Sequence, residues 1–323
     1  MLVDMKKVGV VVIGRNEGER LKKCLNSVVE LAGAVVYVDS GSSDGSVEFA
    51  KSVRVRVVAL DMALPFTAAR ARNEGFHYLL SIYPDLNYVQ FVDGDCEFIT
   101  GWFDTALAEF SSGKHENLAV VFGLRKERFP DASVYNFQAD RDWRVSAGYT
   151  KTCGGDALMS VKALKEMKGY DATLIAGEEP DLCVRLRRSG WKILSIDQDM
   201  TWHDSDIHSI YQWYKRAVRT GHAFSEIYWK HRKFPEQYWR KHNLRILGWG
   251  TVLPILIVLL SIVNIKFLFL FLVYPLQIAR IARYEGWVYA YFCVLVKFPQ
   301  ALGQLKYVLN SLLGKKSRLI EYK

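Results

Sequence analysis

The sequence predicts an α/β domain with a mostly parallel sheet flanked by helices, followed by a C-terminal helical region that meets a membrane. Three observations predict this. Strand-like apolar runs alternate with helix-compatible stretches through the first part of the chain. Polar residues collect where those strands end. From Leu247 onward, two long runs carry no charge.

The strand-like runs are Val8–Ile13, Ala34–Val38, Arg54–Leu60, Tyr88–Val92 and Leu118–Gly123, rich in β-branched residues. Between the early ones, Glu17–Leu31 and Thr67–Ser81 suit helices. In such sheets ligands bind beyond the carboxyl ends of the strands. No internal repeat or low-complexity linker interrupts the pattern.

Half of the 323 residues are apolar, which allows one large domain or two smaller ones with a sizeable core. The five cysteines are scattered and odd in number, which argues for a reducing compartment and against a disulfide framework. The opening "MLVDMKKVGVVVIG" has too short an apolar run for a signal peptide and reads as a first strand. The globular part is therefore expected in the cytoplasm.

The net charge of +9 suggests an anionic partner. Between Trp213 and Arg245 nine Lys or Arg stand against two acids, Glu226 and Glu236, with eight aromatics interleaved. Such a segment suits nucleic acid or anionic lipid. The apolar residues beyond Arg245 favour lipid, so membrane lipid is the expected partner and nucleic acid is not. Leu247–Val263 is charge-free over 17 residues and Phe267–Ala279 over 13. A hairpin of two helices fits, either spanning or inserted from one leaflet; buried core helices are the bland alternative. The mixed stretch from Trp287 suits interfacial helices, and the basic tail "GKKSRLIEYK" places both hairpin ends on the cytoplasmic face. The expected division is 1–206 for the α/β domain, 207–245 for an interfacial segment, and 246–323 for the hairpin and later helices.

The strand ends carry the chemistry. The first delivers Arg15, Asn16 and Glu17, the second Asp39, Ser40 and Asp44. Asp44 and Ser43 suit a helix cap or turn, whereas Asp39 continues its strand and can accept from a base N–H or a ribose hydroxyl. Arg70 and Arg72 open a helix against its dipole, which an anionic partner would explain. The fourth strand runs into Asp93-Gly94-Asp95, either a solvated turn or a pair sharing one Mg²⁺ or Mn²⁺. A nucleoside diphosphate with its metal would satisfy all of these.

Together "VVVIGRNEGERLKKCLNSV", "VVYVDSGSSDGS", "ARARNEGF", "FVDGDCEF", "CGGDALMSVKALKEMKGYD" and "GEEPDLCVRLRRSGWKI" resemble the family-two glycosyltransferases of GT-A fold, in order over about residues 6 to 205. The resemblance implies inverting transfer of a sugar from a nucleoside diphosphate donor, most often a UDP-sugar, to an acceptor hydroxyl, with Mn²⁺ or Mg²⁺ as cofactor. By resemblance Asp39 and Glu17 contact the nucleoside, Arg15 lies in the nucleotide site, and Arg72 contacts base or phosphate. Asp93 reaches toward ribose and metal, and Asp95 ligates the metal directly.

The family's general base falls at Glu179, where this chain has glutamate instead of aspartate; Glu178 and Asp181 stay open as alternatives. His203 is either structural or a further metal ligand. Gly154, Gly155, Asp156, Glu178, Asp181, Gln212, Trp213 and Arg216 are expected around the acceptor, although the tryptophan is misplaced for the processive synthase pattern. The membrane segment and the resemblance together imply a lipid-linked glycan acceptor in surface polysaccharide assembly. A nucleotidyltransferase-like enzyme lacks its glycine-rich basic loop in "IGRNEGER". A catalytically inactive, membrane-anchored binding protein is the third reading.

Overall fold

Valine-rich runs buried on both faces form the centre of the sheet, as parallel strands between helices require. In the computed structural model, which describes residues 5–315, β1 (Val8–Gly14) is buried along nearly its whole length. It pairs in parallel with β2 (Ala34–Asp39) and β4 (Tyr88–Asp93), and β2 pairs with β3 (Arg56–Ala59). The register sets Gly14 beside Asp39 and Ile13 beside Asp93. Three strands therefore end at one level, and their polar residues emerge along one edge.

The other half of the sheet is mixed. β8 (Ala157–Ser160) runs antiparallel to β4 and to β6 (Leu118–Glu127). β6 runs parallel to β9 (Lys192–His203), which also carries β5 (Cys96–Phe98) and β7 (Gly148–Tyr149) antiparallel. The expectation of a mostly parallel sheet thus holds for β1–β4 and for β6–β9, while the short strands add antiparallel ladders. The β5–β9 pairing sets Cys96 opposite His203 and brings two distant segments together.

Helices α1 (Glu19–Asn26), α2 (Ser46–Ser52), α3 (Ala68–Ile82), α4 (Trp102–Ser111), α6 (Val161–Glu166) and α7 (Glu178–Arg188) accompany the sheet; α5 (Val134–Asp142) follows β6. Thr67 caps α3 by accepting from the Arg70 N–H. The core contains Trp102, whose indole N–H donates to Gln90 Oε1 at 2.9 Å, so the buried amide is satisfied.

The chain divides into two compact units: residues up to Pro130 with Ala139–Asp206, and Asp131–Gln138 with the residues from Ile207 on. In the second, α8 (Ile210–His231) packs on α13 (Lys297–Leu312). A Cβ on Gly221 would stand 2.0 Å from Gln300 O, and one on Gly303 2.1 Å from Val218 O. Only glycine lets the two backbones approach this closely. The 22-residue α8 buries Trp213, Val218 and Ile227 inside its own unit and leaves Tyr211 and Trp229 exposed.

Two helices of the second unit, Arg240–Val263 and Ile265–Glu285, are long and apolar enough to cross a membrane. The first combines α9 (Arg240–Leu247), a π turn at Gly248–Val252 and α10 (Leu253–Val263). The widened turn precedes Pro254, which lacks an N–H for the helical ladder. The second begins as a 3₁₀ segment, Ile265–Leu272, and continues as α11 (Val273–Glu285); α12 (Trp287–Leu295) follows. Both apolar helices leave their side chains open, with Val263 82% and Phe269 73% exposed. Buried core helices are thereby excluded within this unit. Residues 316–323 of the basic tail lie outside the described residues.

Candidate active site

Arg72, near the start of α3, is 2% exposed and surrounded by acids. Its Nη2 lies 2.9 Å from Asp93 Oδ1, and its Nη1 lies 2.9 Å from both Glu178 Oε1 and Glu179 Oε1. The Tyr170 ring faces the guanidinium, 5.6 Å from its centroid. Burial works against the charge on Arg72, but Glu179, Asp93 and Glu178 outweigh it and keep the side chain cationic. The arginine that opposes the α3 dipole is thus answered by three carboxylates of its own chain. Arg70, two residues away on a different helix face, instead donates to Asp61 O and Leu64 O and holds that loop.

The acids come from α7, where Gly177 in the left-handed region precedes Glu178 and Glu179. Burial raises the Glu179 pKa to about 7, with repulsion from Glu178 adding and Arg72 opposing. Asp181 is fully buried and holds Arg185 Nε at 2.9 Å, while Arg185 also donates to Met167 O and Gly169 O. That bond makes Asp181 a brace for α7. Gly155 meets the cluster directly: a Cβ there would stand 2.6 Å from Arg72 Nη2, 3.0 Å from Asp93 Oδ2 and 3.3 Å from Glu179 Oε1. Gly154 has open space around it.

Asp93 and Asp95 take different partners. The second oxygen of Asp93 takes Arg125 Nη2 at 3.0 Å, so two guanidiniums compensate it. Arg125 Nη2 also lies 2.7 Å from Asp156 Oδ1, and its guanidinium faces Trp143. Asp156, 1% exposed, further accepts from Thr201 Oγ1 at 2.9 Å and from the Asp93 N–H at 3.2 Å. Burial would raise its pKa, yet Arg125 holds it below the usual carboxylate range. Asp156 therefore supports the end of β4 from beneath, where an acceptor contact was expected.

Asp95 turns to His203, with Oδ1 3.4 Å from Nε2. Asp95, Cys96 and His203 each offer a ligand atom within 4.8 Å of the other two, and all three are buried. A carboxylate oxygen and an imidazole nitrogen suit Mn²⁺, so these residues fit a divalent cation. Behind His203, Glu127 Oε2 lies 3.6 Å from Nδ1.

The donor-side expectations meet a structured pair of loops. Asp39 Oδ2 accepts from the Gly41 and Ser42 N–H groups at 2.9 and 3.0 Å, and its Oδ1 accepts from the Tyr37 hydroxyl at 3.0 Å. Its carboxylate shapes the loop after β2. Asn16 bonds to Ser42 and Ser43, and Asp44 accepts from the Gly18 N–H, which stitches the β1 and β2 ends together. Glu17 pairs with Arg20 at 2.9 Å, and the Arg15 guanidinium lies over the Phe66 ring at 4.6 Å.

Gln212, Trp213 and Arg216 belong to the second unit. Gln212 forms the capping box of α8 with Ser209, and the Trp213 indole N–H donates to Gln138 Oε1 at 2.8 Å against Phe292. Both side chains are engaged in local structure. Sequence reasoning missed Arg125, Glu127 and Trp143. The signal was "LRKER", four consecutive charged residues where a strand runs out of its core.

The strand ends collect arginines, carboxylates and an aspartate–histidine pair along one edge of the sheet. Residues 9–166, nearly all of them in the α/β unit, match the model of Glycosyl transferase family 2. An uncharacterized glycosyltransferase of Rickettsia bellii (strain RML369-C) is 40% identical over 53 residues, 16% of this chain and 18% of that protein. Among solved structures, S. aureus TarS shares 15% identity over 70% of this chain and 44% of its own, with a TM-score of 0.47. Glucosyl-3-phosphoglycerate synthase from Mycobacterium tuberculosis, in complex with Mn²⁺ and uridine-diphosphate-glucose, shares 16% over 68% and 78%, with a TM-score of 0.48. The chain spans less than half of the length of the first two.

Proposed function

We propose that the protein is a membrane-attached, metal-dependent inverting glycosyltransferase. It moves a sugar from a nucleoside diphosphate donor, a UDP-sugar by preference, to a hydroxyl of a lipid-linked glycan at the cytoplasmic face. The observation that carries this reading is the placement of Glu179. Its carboxyl, with a pKa raised to about 7, stands at the mouth of α7 against Gly155, whose missing side chain leaves it room. A base of that pKa is matched to taking a proton near neutral pH. Glu179 accepts the acceptor hydroxyl proton as the oxygen attacks the anomeric carbon, and the nucleoside diphosphate leaves from the opposite face. Glu178 keeps Arg72 charged and in place.

Asp95 and His203 would hold Mn²⁺ or Mg²⁺, and that ion, when bound, supplies charge compensation for the leaving diphosphate. Arg72 and Arg125 bring two more positive charges to the same strand ends. The family match favours glycosyl transfer over the nucleotidyltransferase reading. The exposed apolar helices support a lipid-linked acceptor, and surface polysaccharide assembly is the process such an acceptor serves.

A thermal-shift screen of nucleoside diphosphates and their sugars, with and without Mn²⁺, tests the donor assignment. A ligand at about a hundred times its dissociation constant stabilises by about 2.7 kcal/mol. One nucleotide class is expected to raise Tm only with Mn²⁺. No shift with any of them contradicts the donor assignment.

A further inference from the structure

Glu127 and Ser205, both nearly fully buried, stand behind His203. Ser205 Oγ lies 2.6 Å from Glu127 Oε2 and 3.3 Å from His203 Nδ1, and the Ser205 N–H donates to the same Oε2 at 3.2 Å. A carboxylate only accepts, so the single hydroxyl proton of Ser205 is spent on Glu127. Toward the imidazole the hydroxyl offers only lone pairs, and Nδ1 must carry the ring proton to use them. Glu127 Oε2, 3.6 Å from Nδ1, favours the proton at the same place. The neutral ring then keeps its lone pair on Nε2, the nitrogen 3.4 Å from Asp95 Oδ1. Two electron-rich atoms facing at that distance repel unless a proton on Nε2 or a metal cation lies between them. Trp143 packs nearly perpendicular to the imidazole, with centroids 4.4 Å apart, and fixes the ring plane.

We propose that Glu127, acting through Ser205, is the positioning residue that holds His203 as the Nδ1–H tautomer and presents its Nε2 lone pair beside Asp95 for a divalent cation. The proposal rests on the metal-dependent reading above. Residues behind a metal-ligating histidine typically change metal affinity by about ten- to a hundredfold.

The test is Mn²⁺ binding to the full-length, detergent-solubilised protein without donor, read from the free-Mn²⁺ EPR signal, with ¹⁵N-histidine NMR of the same protein. Asp95→Ala and His203→Ala are expected to abolish binding. Glu127→Gln is expected to weaken it by about ten- to a hundredfold. In wild type the His203 signals, assigned by their loss in His203→Ala, should show the proton on Nδ1. A merely structural Glu127 would lower Tm and leave the Mn²⁺ affinity of the folded protein unchanged. That result, with Asp95→Ala still lost, overturns the positioning role alone. Unchanged affinity in Asp95→Ala removes the metal site and the inference with it. Should Glu127→Gln not fold, a wild-type His203 protonated on Nε2 overturns the proposal by itself.

Discussion

Arg72 Nη1 lies 2.9 Å from Glu179 Oε1, and the same guanidinium reaches Asp93. One buried cation therefore ties the first carboxylate of the Asp93-Gly94-Asp95 turn to the N-terminus of α7. Removing it leaves Glu178 and Glu179 without this cation and Asp93 with Arg125 alone. We predict that Arg72→Met destabilises the fold by about 3–5 kcal/mol, the scale for breaking a buried ion pair. Denaturant unfolding of the solubilised protein checks this; a loss below about 1 kcal/mol would mean that solvent already screens the cluster.

Glu179→Gln should keep donor affinity and lose about 10²–10⁴ in turnover, because the amide preserves shape and cannot take a proton. Glu178→Gln should weaken the Arg72 contact with a smaller loss of rate. Asp181→Asn should act mainly on stability through Arg185. Steady-state kinetics of the three variants rank them. A larger turnover loss in Glu178→Gln or Asp181→Asn at unchanged donor affinity would move the base assignment.

The Glu179 pKa also sets a pH dependence. The rate should fall about tenfold per unit below pH 7 as the base is protonated. Stability carries the opposite sign: the folded-state value, about 7 against an ordinary 4.5, favours the protonated form. That contribution is complete below about pH 4.5 and is lost as pH rises through about 7. Glu179→Gln cannot ionise, so its Tm relative to wild type should climb between pH 5 and 8. A pH-independent Tm difference would contradict the raised value.

Gly155→Ala places a methyl between Arg72, Asp93 and Glu179. A moderate stability loss of about 1–3 kcal/mol is expected from overpacking. Misplacing the base should cost turnover by about a hundredfold. Wild-type turnover in this variant would show that the cluster relaxes without consequence for the reaction.

Much of the site was legible because the parallel strands obey one rule: residues just past a strand end gather on one edge. Asp39 and Asp93 were found that way, and Arg72 by its place early in a helix whose dipole it opposes. Their partners were not legible, since Arg125 and Glu127 reach the edge only through the β6–β9 pairing, whose register slips at Leu124. The two arginines on Asp93 offset its repulsion with Asp95, and the charged run 125–128 where β6 ends was the one trace of this in the sequence. Gln212 and Trp213 were placed near an acceptor by a short pattern. A pattern of that length does not reveal that one residue caps α8 and the other packs on Phe292. The apolar helices were plain from composition, because no buried face was needed to define them.

The open apolar surfaces of Arg240–Val263 and Ile265–Glu285 predict that the full chain stays in the membrane fraction through high salt and leaves it only with detergent. Fractionation after salt and detergent washes reads this. Full-length protein released by a detergent-free wash would mean that protein, such as a second copy, covers those helices.

Turnover itself tests the central claim most directly. The protein, reconstituted in lipid with Mn²⁺, the nucleotide sugar chosen by the thermal screen and a lipid extract as acceptor, should release the nucleoside diphosphate. Glu179→Gln should bind the same donor and release it about 10²–10⁴ times more slowly. Donor that binds firmly to wild type with no nucleoside diphosphate released above a protein-free blank would contradict the account, leaving a membrane-anchored binding protein in place of an enzyme.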